Sequence, residues 1–521
     1  MATRSAVAAN DADGEKAPEL TFEEKGYFDV DQRLSRELVI AFVGPVGSGS
    51  STTYQKMQEK LAGTYGYDPV YIKLSSIIKE HASDVGETIP DGALSIDSID
   101  KFQSVGNKLR ENFGDSYLVD RAIEKIAVER DQRGGYATIN GRRVVRPVKR
   151  AYFLDSLKNP AELKRLRQVY GDLLWVISVF ATDEVRLQRL LEIGMKEEVA
   201  RHAMKRDYEE EEKFGQKVSK MAHQANYFIR NNTDTKDDID APIDRFLETI
   251  MGIKLHTPDA YERGMMEASS VAVRSACLSR QVGAAVYDKH GQLLGVGCND
   301  VPKFNGGLYS EGATDHRCFH WKGKECHNDR KKSELAKKIT AAIGSGTASQ
   351  IAKVSDILEL GVGNLIEFSR SVHAEMEAIV SVARLGSGSL LGGTLYTTTY
   401  PCHNCARHIV AAGITKVVYV EPYSKSLALE LHSDSISLDE KCTDKVRFVQ
   451  YQGFAPRTSI RLFSSVGKER KTKGKYVEVP IGNAIPVFAS PLDSYTTSEN
   501  LIIQELGAGK VYDGESGKNA S

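Results

Sequence analysis

His373-Ala374-Glu375, the strand-like run Gly393-Thr394-Leu395-Tyr396-Thr397-Thr398 and the segment Pro401-Cys402-His403-Asn404-Cys405 decide how the second half of this chain is read. One imidazole and two thiolates, from His373, Cys402 and Cys405, make a three-ligand zinc site with an open fourth position. That opening marks a catalytic ion, since structural zinc is closed by four protein ligands. Residues two apart in a regular helix point about 200° from each other, so His373 and Glu375 serve one metal only if His373 stands at the irregular start of a helix. Ser371 is the expected cap there, and Met376, Ala378, Ile379, Val380, Val382 and Ala383 are the expected buried part of the helix. On the second arm, Pro401 suits a first helical position. Cys402 and Cys405 then lie one turn apart near a positive helix end, which favours thiolate.

Zn²⁺ in such a site draws the pKa of water from about 16 toward about 7. Glu375 is not a ligand. It is the expected catalytic acid and base, taking a proton from water and handing it to the substrate. A lone C-x-x-C reads equally well as a zinc knuckle or a buried cysteine pair. The upstream H-A-E, the Pro before the first Cys and the strand leading into it decide against both.

Working outward, 521 residues exceed one ordinary core and imply two domains. Lys and Arg total 69 against 70 Asp and Glu, a balance that gives no chain-wide attraction to nucleic acid or anionic membrane. Met1 to Leu20 has no apolar core, and no apolar run approaches the length of a membrane span, so a cytoplasmic protein without membrane contact is expected. Seven cysteines, two of them committed to metal, fit a reducing compartment. Small and polar residues dominate 1–30 and 511–521, both expected to be disordered. The composition break near Met251 to Pro258 divides the remainder into 31–253 and 254–510.

The first of these regions carries Glu37-Leu38-Val39-Ile40-Ala41-Phe42-Val43, of buried-strand length, followed directly by Gly44-Pro45-Val46-Gly47-Ser48-Gly49-Ser50-Ser51. The pattern G-x-x-x-x-G-K-[ST] wants lysine where this chain has Ser50. Backbone N–H groups at Gly44, Gly47, Gly49, Ser50, Ser51 and Thr52 are still expected to cradle phosphate at a helix N-terminus. A second core strand, Arg150-Ala151-Tyr152-Phe153-Leu154-Asp155, ends in the acid expected to orient Mg²⁺. Leu173-Leu174-Trp175-Val176-Ile177-Ser178-Val179 is a third strand. With Asp155 to Pro160, Asp183 to Arg189, Arg206 to Phe214 and Ala225 to Asn231, residues 35–250 resemble P-loop nucleoside monophosphate kinases. The resemblance implies that Arg186, Arg189 and Arg206 face phosphates. Without the lysine, a nucleotide-sensing domain is favoured over an active kinase.

In the second region the order helix (Ala268 to Leu278), hairpin about Gly291-Gln292, H-A-E helix, strand, P-C-x-x-C helix and strand resembles the cytidine deaminase fold. Ser279-Arg280-Gln281-Val282-Gly283-Ala284 and Gly297-Cys298-Asn299-Asp300-Val301-Pro302 are most similar to deoxycytidylate deaminases. That likeness implies Asn299 on the substrate sugar and Tyr423 near its phosphate. Gly453-Phe454-Ala455-Pro456-Arg457 resembles a tail motif of deaminases with a fused P-loop domain, in which Phe454 covers the base or belongs to the core. The fold class expected is therefore α/β, an N-terminal P-loop parallel-sheet domain plus a C-terminal cytidine-deaminase-like α/β/α domain. The whole resembles the bacterial anti-phage dCTP/dCMP deaminases. Their likeness implies conversion of dCTP or dCMP to dUTP or dUMP plus ammonia, depletion of a phage's precursor pool, control by a regulatory nucleotide or a repressing RNA, and a homo-oligomer. In the insertion, Cys318, Cys326 and one or two of His316, His320 and His327 read either as a second, structural zinc site, as some deoxycytidylate deaminases carry near this point, or as reduced cysteines with the histidines lining the pocket entrance. The nearby Lys331, Lys332, Lys337 and Lys338 read as a solvated basic face or a phosphate or RNA contact. Two rival readings are a nucleic-acid cytosine or adenine deaminase and an active P-loop nucleotide kinase with an accessory deaminase domain.

Overall fold

The computed structural model describes residues 33–89, 95–139, 142–208, 218–232, 239–312, 314–343, 354–358, 361–423, 426–465 and 470–507. The expected tails 1–30 and 511–521 lie outside them, as do the side chain of Arg206 and the part of the Arg206 to Phe214 run beyond Tyr208.

Two six-stranded sheets organise the chain. The first contains β1 (Leu38–Val43), β2 (Asp68–Lys73), β3 (Arg150–Asp155), β4 (Leu174–Phe180) and β5 (Tyr227–Arg230). In the second are β6 (Gly283–Tyr287), β7 (Leu293–Cys298), β8 (Thr394–Thr399), β9 (Lys416–Glu421), β10 (Ile436–Ser437) and β11 (Val446–Gln450). A last short strand, β12 (Gly453–Phe454), crosses back to the first sheet, whose spatial order is β12-β5-β4-β1-β3-β2. The five long strands of that sheet pair in parallel, and β12 runs antiparallel to β5. Strands buried on both faces need apolar residues at every position, hence the unbroken Leu38–Val43 run. Val39, Ala41 and Val43 enter one core while Leu38, Ile40 and Phe42 enter the other, the period of two that a strand imposes.

The second sheet has the order β10-β11-β9-β8-β6-β7, with β6 antiparallel to both of its neighbours, β7 and β8, and with β8, β9, β11 and β10 mutually parallel. Helices that matter below are α1 (Ser50–Gly63), α2 (Tyr117–Gln132), α3 (Asp183–Glu192), α4 (Ala260–Ala272), α5 (His327–Ile343), α6 (Ala374–Leu385), α7 (His403–Ala411) and α8 (Leu492–Gly507). Ala284, Val286, Leu395 and Val417 pack under α6 and α7. Ala285, Tyr396 and Val418 face the other way, onto Met265 and Ala268 of α4, and belong to the same core as one face of the first sheet. One apolar core thus runs through both sheets.

Residues 453–507 return to the first sheet. Phe454 is fully buried against Tyr227, Phe246 and Phe463, so it lies in the core of the two readings the sequence left open. Its N–H donates to the buried Glu262 of α4 at 3.0 Å, and Arg245 donates to the other oxygen of that carboxylate. From α2, the fully buried Arg130 forks onto Glu37 at the head of β1 and onto Glu499 of α8, while Tyr152 and Tyr495 donate to Glu37. A buried charge survives only with partners of this quality. Among the described residues no helix is long and apolar enough to cross a membrane.

Candidate active site

Helix α6 begins at Ala374, and its N-cap is His373 in extended conformation (φ −75°, ψ 153°). That is the irregular start the His-x-Glu spacing demands. Ser371 does not cap: the chain turns one residue before the helix, so position 371 is too far upstream. Burial also differs from expectation. Ala374, Glu375, Glu377, Ala378, Ser381 and Val382 face inward, whereas Val380 is exposed, because one helix face and not a continuous run meets the sheet. On the other arm Cys402 is itself the N-cap of α7, and Pro401 stands one residue outside the helix.

Close packing fixes where α6 lies. Gly295 and Gly297 of β7 sit directly beneath it. A Cβ built on Gly297 would lie 2.4 Å from both Ala374 O and Ala378 N. Only glycine lets the helix carrying His373 and Glu375 descend this far onto the strand.

His373 Nδ1 lies 3.2 Å from Cys402 Sγ and 3.4 Å from Cys405 Sγ. A tetrahedral zinc with nitrogen at about 2.1 Å and sulfur at about 2.3 Å separates the two by about 3.6 Å, so this donor set fits that ion with adjustments of a few tenths of an ångström. Among the described residues it is the one group of three or more His, Cys, Asp or Glu ligands so gathered. Glu375 is 3 % exposed, and its Oε2 accepts from Cys405 Sγ at 3.4 Å. Burial raises its pKa above the ordinary carboxylate range. The hydrogen bond with Cys405, joined by that with His373, draws the Cys402 thiol down to about 4, while Cys405 and His373, the partners in those bonds, are pushed up.

His373, Glu375 and Cys402 line a cavity of about 320 Å³ whose walls also include Arg280, Asn299, Asn328, Lys332, Thr399 and Tyr423. Asn299 Oδ1 accepts from Val282 N at 2.7 Å, and its Nδ2 donates to Arg280 O at 2.8 Å. It therefore holds the 279–282 loop at the cavity mouth and still has one N–H to offer. Tyr423 lies under the Arg280 guanidinium, 5.8 Å from it.

Among the described residues, the cysteines and histidines of the insertion are not gathered into a group of three or more ligands. Cys318 Sγ is met by the Arg370 guanidinium at 4.0 Å, and Arg330 donates to His327 Nδ1 at 2.9 Å, occupying the lone pair a metal would use. His320 is exposed, and Cys326 lines the cavity. Arg317, held by Asp315 and 3.7 Å from the buried Asp300, ties this segment to the hairpin. The sequence reading did not single out Arg280 or Lys332. Arg280 stood inside a quoted motif, but Lys332 was indistinguishable from its three lysine neighbours without the helix's orientation.

In the first sheet, Gly44 to Ser51 joins β1 to α1. Gly49 is the N-cap of α1 with φ 89°, a left-handed conformation, and a Cβ there would lie 2.1 Å from Asn231 Nδ2. Three cations ring the loop: Arg186 Nε donates to Val46 O at 2.8 Å, Arg189 to Ser48 O at 3.3 Å, and Lys158 to Gly44 O at 3.4 Å. Ser50 Oγ pairs with Ser48 Oγ at 3.3 Å; Ser51 is exposed and Thr52 half-buried on the first turn of α1. Asp155, at the end of β3, accepts from Tyr71 at 2.6 Å and from Ser156 at 3.0 Å.

Residues 258–421 match the family described as the cytidine and deoxycytidylate deaminase zinc-binding region. The deoxycytidylate deaminase of Enterobacteria phage T2 is 30 % identical over 158 residues, which are 30 % of this chain and 77 % of that protein. ComE operon protein 2 of Bacillus subtilis (strain 168) is 33 % identical over 93 residues, 16 % of this chain and 49 % of that protein. Among solved structures, the dCMP deaminase of cyanophage S-TIM5 in complex with dCMP and dUMP is 20 % identical, covering 37 % of this chain and 99 % of its own, with a TM-score of 0.22.

Proposed function

Because this chain belongs to the deoxycytidylate deaminase family, we propose that its cavity binds a cytosine deoxynucleotide and hydrolyses the exocyclic amine, converting dCMP or dCTP to dUMP or dUTP plus ammonia. The observation that carries this reading is the convergence of His373, Cys402 and Cys405 beside a buried Glu375, with His373, Cys402 and Glu375 lining one cavity. His373, Cys402 and Cys405 would hold a zinc ion, which when bound would supply Lewis acidity, lowering the pKa of water from about 16 toward about 7. Glu375 takes one proton of the attacking water and gives it to the adjacent ring nitrogen, then carries the remaining proton of the added hydroxyl to the amine as the C–N bond breaks and the carbonyl forms. Its burial and raised pKa suit a group that must both accept and return a proton. Asn299 offers its remaining N–H to a sugar hydroxyl, and Tyr423 with Arg280 faces the phosphate end.

We read the first sheet as a P-loop nucleotide-sensing unit. Support comes from the glycine loop leaving the central strand β1 into α1, with strand order reversing on either side of it. Gly44, Gly47, Gly49, Ser50, Ser51 and Thr52 are the cradle, and Asp155 is the carboxylate that would hold Mg²⁺. The regions 31–253 and 254–510 then share a core through α4, a route by which nucleotide bound in one biases the other. The physiological role in this reading is depletion of the deoxycytidine nucleotide pool of a replicating phage by a homo-oligomeric enzyme, held silent by a regulatory nucleotide or a repressing RNA.

Purified protein incubated with dCMP, dCTP, CTP, cytidine and cytosine-containing oligonucleotides, with ammonia and uracil products followed, tests the substrate class. Turnover of the deoxynucleotides is expected. Reaction of oligonucleotides alone would overturn it.

A further inference from the structure

Resting on that deaminase reading, we propose that helix α5, inserted between the β6–β7 hairpin and α6, reads the phosphate end of the substrate through Lys332. Together with Arg280 it forms a two-cation site that favours the triphosphate over the monophosphate.

Four lysines stand on this helix. Lys331, Lys337 and Lys338 are exposed, and Lys332 alone of the four is half-buried and lines the cavity above His373 and Glu375. One turn earlier, on the same helix face, Asn328 lines the cavity too. Its Oδ1 is buried without a hydrogen-bond partner among the described residues. An orphan polar atom at a cavity wall is costly unless a ligand meets it, and a sugar hydroxyl supplies the missing donor. The wall is therefore polar where a nucleotide is polar.

Lys332 Nζ donates to Gly363 O at 2.8 Å, which leaves two further N–H groups. Arg280 reaches the cavity from a different element, the loop before β6, and its pairing with Glu421 at 3.3 Å is half exposed and readily exchanged for phosphate. Glu375 is the single carboxylate among the lining residues, so the rest of the wall carries net positive charge. One cation beside Tyr423 suffices for a monophosphate. A second, brought in by a separate helix, is explained by phosphates beyond the first.

The test is steady-state kinetics on dCTP and dCMP for the wild type, Lys332→Ala, Lys332→Arg and, as a surface control, Lys331→Ala. Calorimetric binding of both nucleotides to Glu375→Gln with and without Lys332→Ala gives a readout independent of turnover. Loss of a charge-assisted contact predicts that Lys332→Ala raises KM for dCTP about ten- to hundredfold more than for dCMP. Lys332→Arg should recover part of the difference, and Lys331→Ala should leave the dCTP to dCMP ratio as in the wild type. A wild type that prefers dCMP, or a Lys332→Ala variant that weakens both nucleotides equally, overturns the proposal. Absence of turnover on any cytosine nucleotide would instead remove the deaminase reading beneath it.

Discussion

Replacing Gly297 by alanine puts the link between packing and chemistry to a direct test. The added Cβ meets backbone atoms, Ala374 O and Ala378 N, each at 2.4 Å. Backbone cannot rotate away as a side-chain tip does. To restore ordinary contact at about 3.4 Å, the first turn of α6 must retreat by about 1 Å, at an overpacking cost of about 1–3 kcal/mol. The residues flanking Ala374 are His373 and Glu375, so the retreat carries the proposed metal ligand and the proposed proton shuttle with it. Misplacement of about 1 Å in a catalytic constellation lowers turnover about 10²-fold. The assay is kcat on dCMP and dCTP with zinc content measured on the same preparation and thermal unfolding as a control for folding. Gly63→Ala serves as comparison, since nothing lies within 4 Å of a Cβ there and a helical glycine gains from the change. Wild-type kcat and full zinc in Gly297→Ala would refute the claim that glycine at this strand position sets the catalytic geometry.

Further outcomes follow from other parts of the molecule. Glu375→Ala should lower turnover by about 10²–10⁴-fold while metal analysis still finds zinc, because the carboxylate is not needed for ligation. Zinc uptake at neutral pH should release protons, measured by calorimetry in buffers of different ionisation heat. Cys405 and His373 both hold their protons to higher pH than usual, and lowering the pH should therefore expel the metal. Arg130→Ala strands Glu37 and Glu499 together in the core and should destabilise the fold by about 3–5 kcal/mol in denaturant titration. Gly49→Val places a branched side chain at positive φ against Asn231 and should abolish nucleotide binding by the first sheet. Equal affinity in that variant would sink the phosphate-cradle assignment.

Much of the site was legible in the sequence because its chemistry forces local patterns. Two residues of spacing between His373 and Glu375 demanded an irregular helix start, and the backbone of His373 provides one. The apolar runs of β1, β3 and β4 announced buried parallel strands for the same reason. What stayed hidden depends on long-range packing. Phe454 gave no sign that it would pair with Tyr227 from the other half of the chain, nor Glu499 that it would share Arg130 with Glu37. The cysteines and histidines of the insertion suggested a metal by composition alone. In the structure Cys318 meets Arg370, His327 meets Arg330 and Cys326 lines the cavity, placements that depend on contacts distant in sequence.

In the function proposed above, this chain hydrolyses the amine of a cytosine deoxynucleotide through Glu375 beside a zinc held by His373, Cys402 and Cys405. Its most direct test is a reaction of the zinc-loaded protein with dCMP and dCTP in ¹⁸O-labelled water, read by mass spectrometry of the nucleotide product. The expected result is a uracil deoxynucleotide carrying one labelled oxygen, equimolar ammonia, and both products formed at least about 10²-fold more slowly by Glu375→Ala. Unlabelled uracil product, or no product from fully zinc-loaded protein, would contradict it.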